Sequence, residues 1–321
     1  AAALTAATCA MPVARESTPS RDGPRGSRIP RAGGAIVRHG VRITSPGRLQ
    51  YPDVGITKRD LADYYERIAE RMLPQLRGRP LTLIRCPRGV GESCFVQQHH
   101  AKGIPRAVRR VRLRETSGRT TDHFFVDDLA GVLACVQIGA LELHGWGSRE
   151  GSLENPDRLV IDLDPDPELP FTEVIDAARL VHERLSKDGI ASWPMLTGGK
   201  GIHVVATLEP TTWKAVSEYA KGLATSLEHA EPARFTAGSA KVDRPGRIYL
   251  DYVRNQRGIT AIAPYSTRAK EGAPVALPIA WRALDGVRGA REFAVRRAMD
   301  EGVPDPPREL GQAQRLPRTR S

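Results

Sequence analysis

The residues best suited to chemistry lie in the run Leu159-Val-Ile-Asp162-Leu-Asp164-Pro-Asp166. In an extended strand, successive side chains take opposite faces, so Asp162 and Asp164 share one face while Ile161 and Leu163 pack on the other. Two carboxylates this close repel each other unless a cation or a proton lies between them. Hard oxygen donors on a rigid strand suit Mg²⁺ or Mn²⁺. A bare D-x-D is more often a strand running into an acidic turn, and Asp166, behind Pro165, has left the strand and is not expected to ligate. A second strand, Arg247-Ile-Tyr-Leu-Asp251-Tyr-Val, carries Asp251 on the face of Arg247 and Tyr249. An acid among apolar neighbours needs a partner. Beside the first two carboxylates it would complete a two-metal cage; paired with Arg247 it would be structural.

Between these strands lies Thr197-Gly-Gly-Lys200-Gly-Ile-His203. Its glycines let backbone amides approach an anion, and Lys200 adds a point charge. The Walker A spacing is absent, since Gly201 follows Lys200. A plain glycine-rich hairpin and a core histidine at position 203 are the bland alternatives. His144, in Leu-His-Gly-Trp, is expected at the end of a buried helix.

The elements that must position these residues read as an α/β or α+β core. Thr57 with Asp60 forms a capping box ahead of Leu61, Tyr64, Tyr65, Ile68 and Met72 at helical spacing. Strands are expected over 80–85, 159–164, 192–196, 202–208 and 247–253, and helices over 127–143, 172–187 and 211–229. Residues 1–40, rich in Ala, Pro, Gly, Ser and Arg, read as a linker or tail, and the Pro- and Arg-rich stretch 296–321 reads likewise. The catalytic body is then 41–295.

Composition narrows the function class. Of 321 residues 48 are Lys or Arg and 37 Asp or Glu, a net charge of +11 that favours polyanionic partners. No apolar run reaches the length of a membrane span; the longest, 129–141, contains Gln137. A secretory signal is not expected, and the lack of an initiator Met points to a chain cut from something longer. Cys9, Cys86, Cys94 and Cys135 contain no C-x-x-C pair, which argues against a disulfide framework or structural zinc site and fits a reducing cytoplasm.

In this order, Asp162-x-Asp164, Thr197-Gly-Gly-Lys-Gly-Ile-His203 and Leu250-Asp251 resemble the three motifs of the archaeo-eukaryotic primase superfamily. More closely, the chain is similar to the polymerase domain of bacterial ATP-dependent DNA ligase D. The likeness runs from about residue 40 to 291. It includes Arg-Ile-Thr-Ser-Pro-Gly-Arg48 with Gly-Ile-Thr-Lys58, Arg79-Pro-Leu-Thr-Leu, Val126-Asp-Asp-Leu-Ala-Gly, Leu143-His144-Gly-Trp, Gly246-Arg-Ile-Tyr-Leu-Asp251-Tyr-Val-Arg-Asn and Ala263-Pro-Tyr-Ser-Thr-Arg268.

The resemblance implies a primase-type core with an RRM-like sheet beside a second, smaller sheet flanked by helices. It implies a nucleotidyltransferase adding nucleotides, often ribonucleotides, to a primer at DNA gaps and double-strand breaks in non-homologous end joining. Asp162, Asp164 and Asp251 would be the catalytic residues and ligands of two divalent metals, Mn²⁺ or Mg²⁺. Thr197, Lys200, His203, Arg244 and Arg268 would clamp the triphosphate of an NTP or dNTP, with His144 near the nucleotide and Phe95 stacking. Arg48 and Lys58 would take the 5′-phosphate of a downstream DNA strand. Expected partners are DNA ends, a ligase module of the same polypeptide and the bacterial Ku protein, in a bacterial cytoplasm at the nucleoid. The chain departs from the family at Thr197 (usually Ser), at Val96 (usually a second aromatic), and at Gln97 and Gln98 (where a Lys is common). The K-x-D-G ligase signature is absent, because Lys187-Asp-Gly lacks the intervening residue. Rival readings are a non-catalytic DNA-end binding module, disfavoured by the repulsion among three carboxylates, and a metal-dependent nuclease, disfavoured by the triphosphate clamp.

Overall fold

Asp162 and Asp164 sit in the middle of a sheet because the strand that carries them is flanked on both edges. A computed structural model describes residues 34–115 and 118–317. It begins with two short hairpins, Ile36–Arg38 (β1) with Val41–Ile43 (β2), and Leu49–Tyr51 (β3) with Ile56–Thr57 (β4). Then come Lys58–Leu76 (α1), Leu81–Arg85 (β5), Phe95–Gln97 (β6), Arg109–Arg114 (β7), Thr120–Phe125 (β8), Leu129–Gln137 (α2) and Ala140–Trp146 (β9). The second half carries Arg158–Pro165 (β10), Phe171–Lys187 (α3), Trp193–Leu196 (β11), Ile202–Thr207 (β12), Trp213–Ala230 (α4), Phe235–Thr236 (β13), Ile248–Asp251 (β14), Thr260–Ile262 (β15), Leu277–Pro278 (β16) and Val295–Asp300 (α5).

One sheet has the order β13-β14-β10-β12-β11-β16, antiparallel except for the β13–β14 pair. The other runs β15-β9-β5-β8-β7, with β6 paired to β5; expected to be the smaller, it also counts six strands. Alternation along β10 decides what each face does. Leu159, Ile161 and Leu163 join the main core with Val174, Val181 and Leu185 of α3 and Val216 and Leu223 of α4. The opposite face begins with Val160, packed with Trp193, Met195, Val205 and Ile262. Ile262 belongs to the second sheet, so this apolar plug closes the base of the space between the sheets, and Asp162 and Asp164 follow on that same face.

The capping box at Thr57 and Asp60 forms as its sequence dictates. Thr57 Oγ1 accepts from the Asp60 amide, and the Asp60 carboxylate accepts from the Thr57 amide. The stretch 127–143, expected as one buried helix, is instead α2 followed by strand β9. Gly139 makes the break: its φ is +79°, and a Cβ there would lie 2.8 Å from Pro87 Cα. A buried strand and a buried helix are both apolar throughout, so periodicity does not separate them. His144 accordingly lies on a strand rather than at a helix end. The expected strand 247–253 stops at Asp251 and turns into a single 3-10 turn at Val253–Asn255. Asn255 bonds both the amide and the carbonyl of Val160, an anchor that a strand would not provide.

Two further expectations are corrected. Cys86 and Cys94 form a disulfide across the turn between β5 and β6, while Cys135 is free and buried. The Pro- and Arg-rich end is no bare tail over 296–317. Arg71 donates to the carbonyls of Val303 and Pro304, and Gln314 pairs with Leu208 and bonds Ala191. At the other end residues 36–40 already belong to the first hairpin, and residues 1–33 of the expected linker lie outside the described residues. No helix among the described residues is long and apolar enough to cross a membrane.

The glycine-rich turn approaches β10 so closely that a Cβ on Gly201 would stand 1.9 Å from the Leu163 carbonyl oxygen. No side chain can yield there, because the obstacle is backbone. Gly201→Ala is expected to lower unfolding free energy by ~1–3 kcal/mol or more, measured by urea denaturation followed by circular dichroism.

Candidate active site

The register of three strands builds the site. Asp162 on β10 faces Asp251 of β14 on one side and His203 of β12 on the other. Directly opposed side chains lie within interaction range, so three functional groups form one row across the sheet. Asp164 stands one pleat further, opposite Tyr249. The carboxylates expected to act together are therefore brought together.

Their charges are met by cations. Asp162 takes His203 Nε2 at 3.3 Å and Arg254 Nε at 3.2 Å. Arg254 also reaches Asp251 at 3.1 Å and is anchored by the Thr260 carbonyl. Asp164 is gripped by Lys200 Nζ and Arg244 Nη1, each at 2.9 Å. Burial works against the charge of Asp162, but His203 and Arg254 outweigh it and hold the acid well below the usual carboxylate range. Asp251 moves the other way. Burial raises it and the charge of Asp162 adds to the rise, against the opposing pull of Arg254. Three carboxylates on one rigid face fit divalent metal ions, which would satisfy the charge that now needs Arg254, Lys200 and Arg244.

A cleft of about 300 Å³ opens over this row, lined by Asp162, Asp164, His203, Thr197, Lys200, Arg268 and His144 among others. In the turn between β11 and β12, Thr197 Oγ1 donates to the Gly201 carbonyl and accepts from the Gly199 amide. Arg268 donates to the Thr197 carbonyl at 2.8 Å. Lys270 and Arg291 also line the cleft, which makes its lining rich in cations.

Glu142, which sequence reasoning missed, organises the far wall. It lies two residues before His144 on β9, hence on the same face; it accepts from His144 Nε2 at 2.7 Å and from the Ala269 amide, and forms an ion pair with Arg268 Nε at 3.1 Å. Burial opposes its charge, yet the His144 bond and the Arg268 charge hold it down at about 2. A charged carboxylate only accepts, so the bridging proton belongs to His144 Nε2. Burial also lowers the His144 pKa. The ring is thereby kept neutral, with Nδ1 as an acceptor. Arg254 was also missed, although it follows Asp251 by three residues, the reach of one 3-10 turn.

Other expected residues lie outside the cleft. Arg244, expected on the triphosphate, bonds Asp164 and the Ser239 carbonyl, with its guanidinium 4.0 Å over the Tyr249 ring. Phe95 is 44% exposed on the short strand β6, under the Arg85 guanidinium. Arg48 and Lys58 are neighbours through the Lys58 amide bond to the Arg48 carbonyl. Arg48 is exposed and donates to Pro87, whereas Lys58 is only 4% exposed, its amine donating to the Thr44 and Gln137 carbonyls. Burial, with Arg48 adding to it, pushes the Lys58 amine down to about 8.

The model of the LigD primase-polymerase domain matches residues 57–303. The multifunctional non-homologous end joining protein LigD of Pseudomonas aeruginosa is 36% identical over 304 residues, which is 92% of this chain and 36% of that protein. The bifunctional LigD of Bacillus subtilis is 29% identical over 274 residues, 83% of this chain and 44% of its own length. Among solved structures, the polymerase domain of Mycobacterium tuberculosis ligase D in complex with DNA is similar at a TM-score of 0.75 and 32% identity, over 82% of this chain and 96% of that one. The chain spans about a third of the length of the LigD proteins of Pseudomonas and the mycobacteria. With the matched region covering the carboxylate row, the glycine-rich turn and Arg268, the chain belongs to the LigD primase-polymerase domain family, nucleotidyltransferases of the archaeo-eukaryotic primase superfamily.

Proposed function

We propose that this chain adds nucleotides, ribonucleotides in preference, to the 3′-hydroxyl of a primer at DNA gaps and broken ends during non-homologous end joining. The observation that carries the proposal is one cleft lined by Asp162 and Asp164, with Asp251 opposite Asp162 in the strand register, and by Lys200, Arg268, Lys270 and Arg291. That arrangement suits a substrate that brings both metal ions and a polyphosphate. Asp162, Asp164 and Asp251 would hold two divalent cations, Mn²⁺ or Mg²⁺, which when bound lower the pKa of the attacking hydroxyl and neutralise the departing pyrophosphate.

The chain's own residues bind and orient. Lys200 and Arg268 offer charge-assisted donors to the triphosphate, and the Gly199 amide lies beside them in the turn. Arg254 and Lys200 neutralise the carboxylates before substrate arrives, so the row folds without its ions. His144, pinned by Glu142, presents Nδ1 as an acceptor, the group to which a sugar hydroxyl donates; this supports the ribonucleotide preference. Catalysis by such a site is positioning and electrostatics, with no side-chain nucleophile. At the DNA end, Lys58 opens α1, where the helix dipole favours an anion, and Arg48 stands beside it. A ligase module and the Ku protein are proposed partners of the longer protein.

Primer extension on gapped DNA with each NTP and dNTP tests the reading. Asp162→Asn, Asp164→Asn and Asp251→Asn should each cut extension by roughly 10²-fold or more. Their stabilities should part company. Charged Asp162 is favoured by folding, so Asp162→Asn lowers Tm at neutral pH, while charged Asp251 is disfavoured, so Asp251→Asn leaves Tm unchanged or raises it. Wild-type extension in all three variants would refute the assignment.

Lys200→Ala and Arg268→Ala should raise the KM for NTP, each losing contacts worth ~1.5–3 kcal/mol. An NTP titration with unchanged KM in both would remove them from the clamp.

The Lys58 amine is charged below about pH 8 and loses its proton above it. Preference for gapped DNA with a 5′-phosphate over the 5′-hydroxyl should therefore be full at pH 7 and decline by pH 9. Arg48→Ala should reduce that preference at pH 7. Binding titrations of both DNAs at fixed salt separate this from general phosphate attraction; a pH-independent ratio would exclude Lys58 from phosphate recognition.

A further inference from the structure

Away from the cleft, three side chains with metal-binding atoms converge on the second sheet. His99 follows β6, Glu115 directly follows β7 and His123 lies within β8. Each offers one donor atom, and the three lie within 4.8 Å of one another. The Glu115 carboxylate is 3.9 Å from His99 Nε2 and 3.7 Å from His123 Nε2, beyond hydrogen-bond length in both cases. The two rings meet edge to face at 4.9 Å, and His99 and His123 are bridge partners in the backbone, so the sheet itself sets them side by side. The group is separate from the carboxylate row and lines no part of the cleft.

We propose that His99, Glu115 and His123 form a binding site for one Zn²⁺ ion. Two imidazoles and one carboxylate are a borderline donor set, which selects zinc over Mg²⁺ or Mn²⁺, whose preferred ligands are all oxygen. Tetrahedral zinc with ligand bonds of ~2.0–2.1 Å places donor atoms about 3.3 Å apart. The cluster must therefore contract by a fraction of an ångström between the carboxylate and each ring. His99, half exposed, is free to supply that movement. Thr121 Oγ1 already donates to Glu115 Oε1 at 2.7 Å and fixes the carboxylate that would face the ion. His123 gives up its contact with Thr121 Oγ1 and ligates through Nε2 with its proton on Nδ1. Three protein ligands leave a fourth position for water. The ion ties three separate segments together, among them the one carrying Phe95 and the His100 amide bond to Asp122.

The test strips the purified chain with chelator, then titrates it with Zn²⁺ alone by calorimetry and with Co²⁺ by visible absorption. The Asp162→Asn/Asp164→Asn double variant serves as background, so that ions on the carboxylate row are not counted. The expected result is one Zn²⁺ per chain in that background, the strong visible bands of tetrahedral Co²⁺, and a Tm that rises with Zn²⁺. His99→Ala and Glu115→Gln, introduced singly, should weaken binding by more than the roughly 10–100-fold that loss of a supporting partner causes, and abolish the Tm rise. His99→Ala removes a half-exposed side chain, and Glu115→Gln keeps size and hydrogen bonding, so both are expected to keep the parent circular dichroism without metal. Zn²⁺ affinity unchanged in both variants, or no Zn²⁺ bound in the carboxylate background, would overturn the site.

Discussion

Three carboxylates on neighbouring positions of one sheet face cannot stand uncompensated, and much of the surrounding structure answers that constraint. Asp162 and Asp251 are opposed across a strand pair, so their repulsion is built into the register. Arg254 spans both, His203 closes on Asp162 from the other strand, and Lys200 and Arg244 share Asp164. The result is asymmetric: Asp162 is held as an anion while Asp251 is driven towards its neutral form. A site of this kind is already arranged for cations before any substrate reaches it. Its present cations reach in from a turn, a loop and a neighbouring strand, while the carboxylates lie on rigid strands.

The fold serves that row by separating its two faces. Leu159, Ile161 and Leu163 commit one face of β10 to α3 and α4, and Val160 seals the base of the other face with Trp193, Met195, Val205 and Ile262. The carboxylates begin one pleat beyond the plug, so the same period-2 alternation gives both a dry base and a polar floor. Gly201 lets the cationic turn press against the Leu163 carbonyl, which keeps Lys200 on Asp164. Asn255 locks the backbone of Val160 from below and thereby sets the height of the entire row.

How much of this could be read from the sequence depended on whether the signal was local. The D-x-D parity, the capping box at Thr57 and the glycine-rich turn are short-range patterns, and the structure carries each where expected. The stretch 127–143 was not legible. A uniformly apolar run hides the difference between helix and strand, and with β9 misread as helix, Glu142 and His144 could not be seen as same-face neighbours. Arg254 was visible as a residue but not as a partner, since its role depends on the chain turning directly after Asp251. The Cys86–Cys94 bond and the seating of Gln314 on Leu208 are long-range or loop-made contacts, which composition alone misread as their absence.

The Glu142 contacts explain why the second sheet is needed at all. An Arg on a loop is free to swing; Arg268 is instead held between Glu142 on β9 and the carbonyl of Thr197, just after β11. That single side chain therefore joins the two sheets across the cleft. Its charge does double duty, stabilising the buried Glu142 anion and adding to the positive charge that lines the cleft. Burial lowers the His144 pKa and keeps the ring neutral, against the pull of the same carboxylate that orients it. His144 and Arg268, which both line the cleft, are thus coupled through one buried acid.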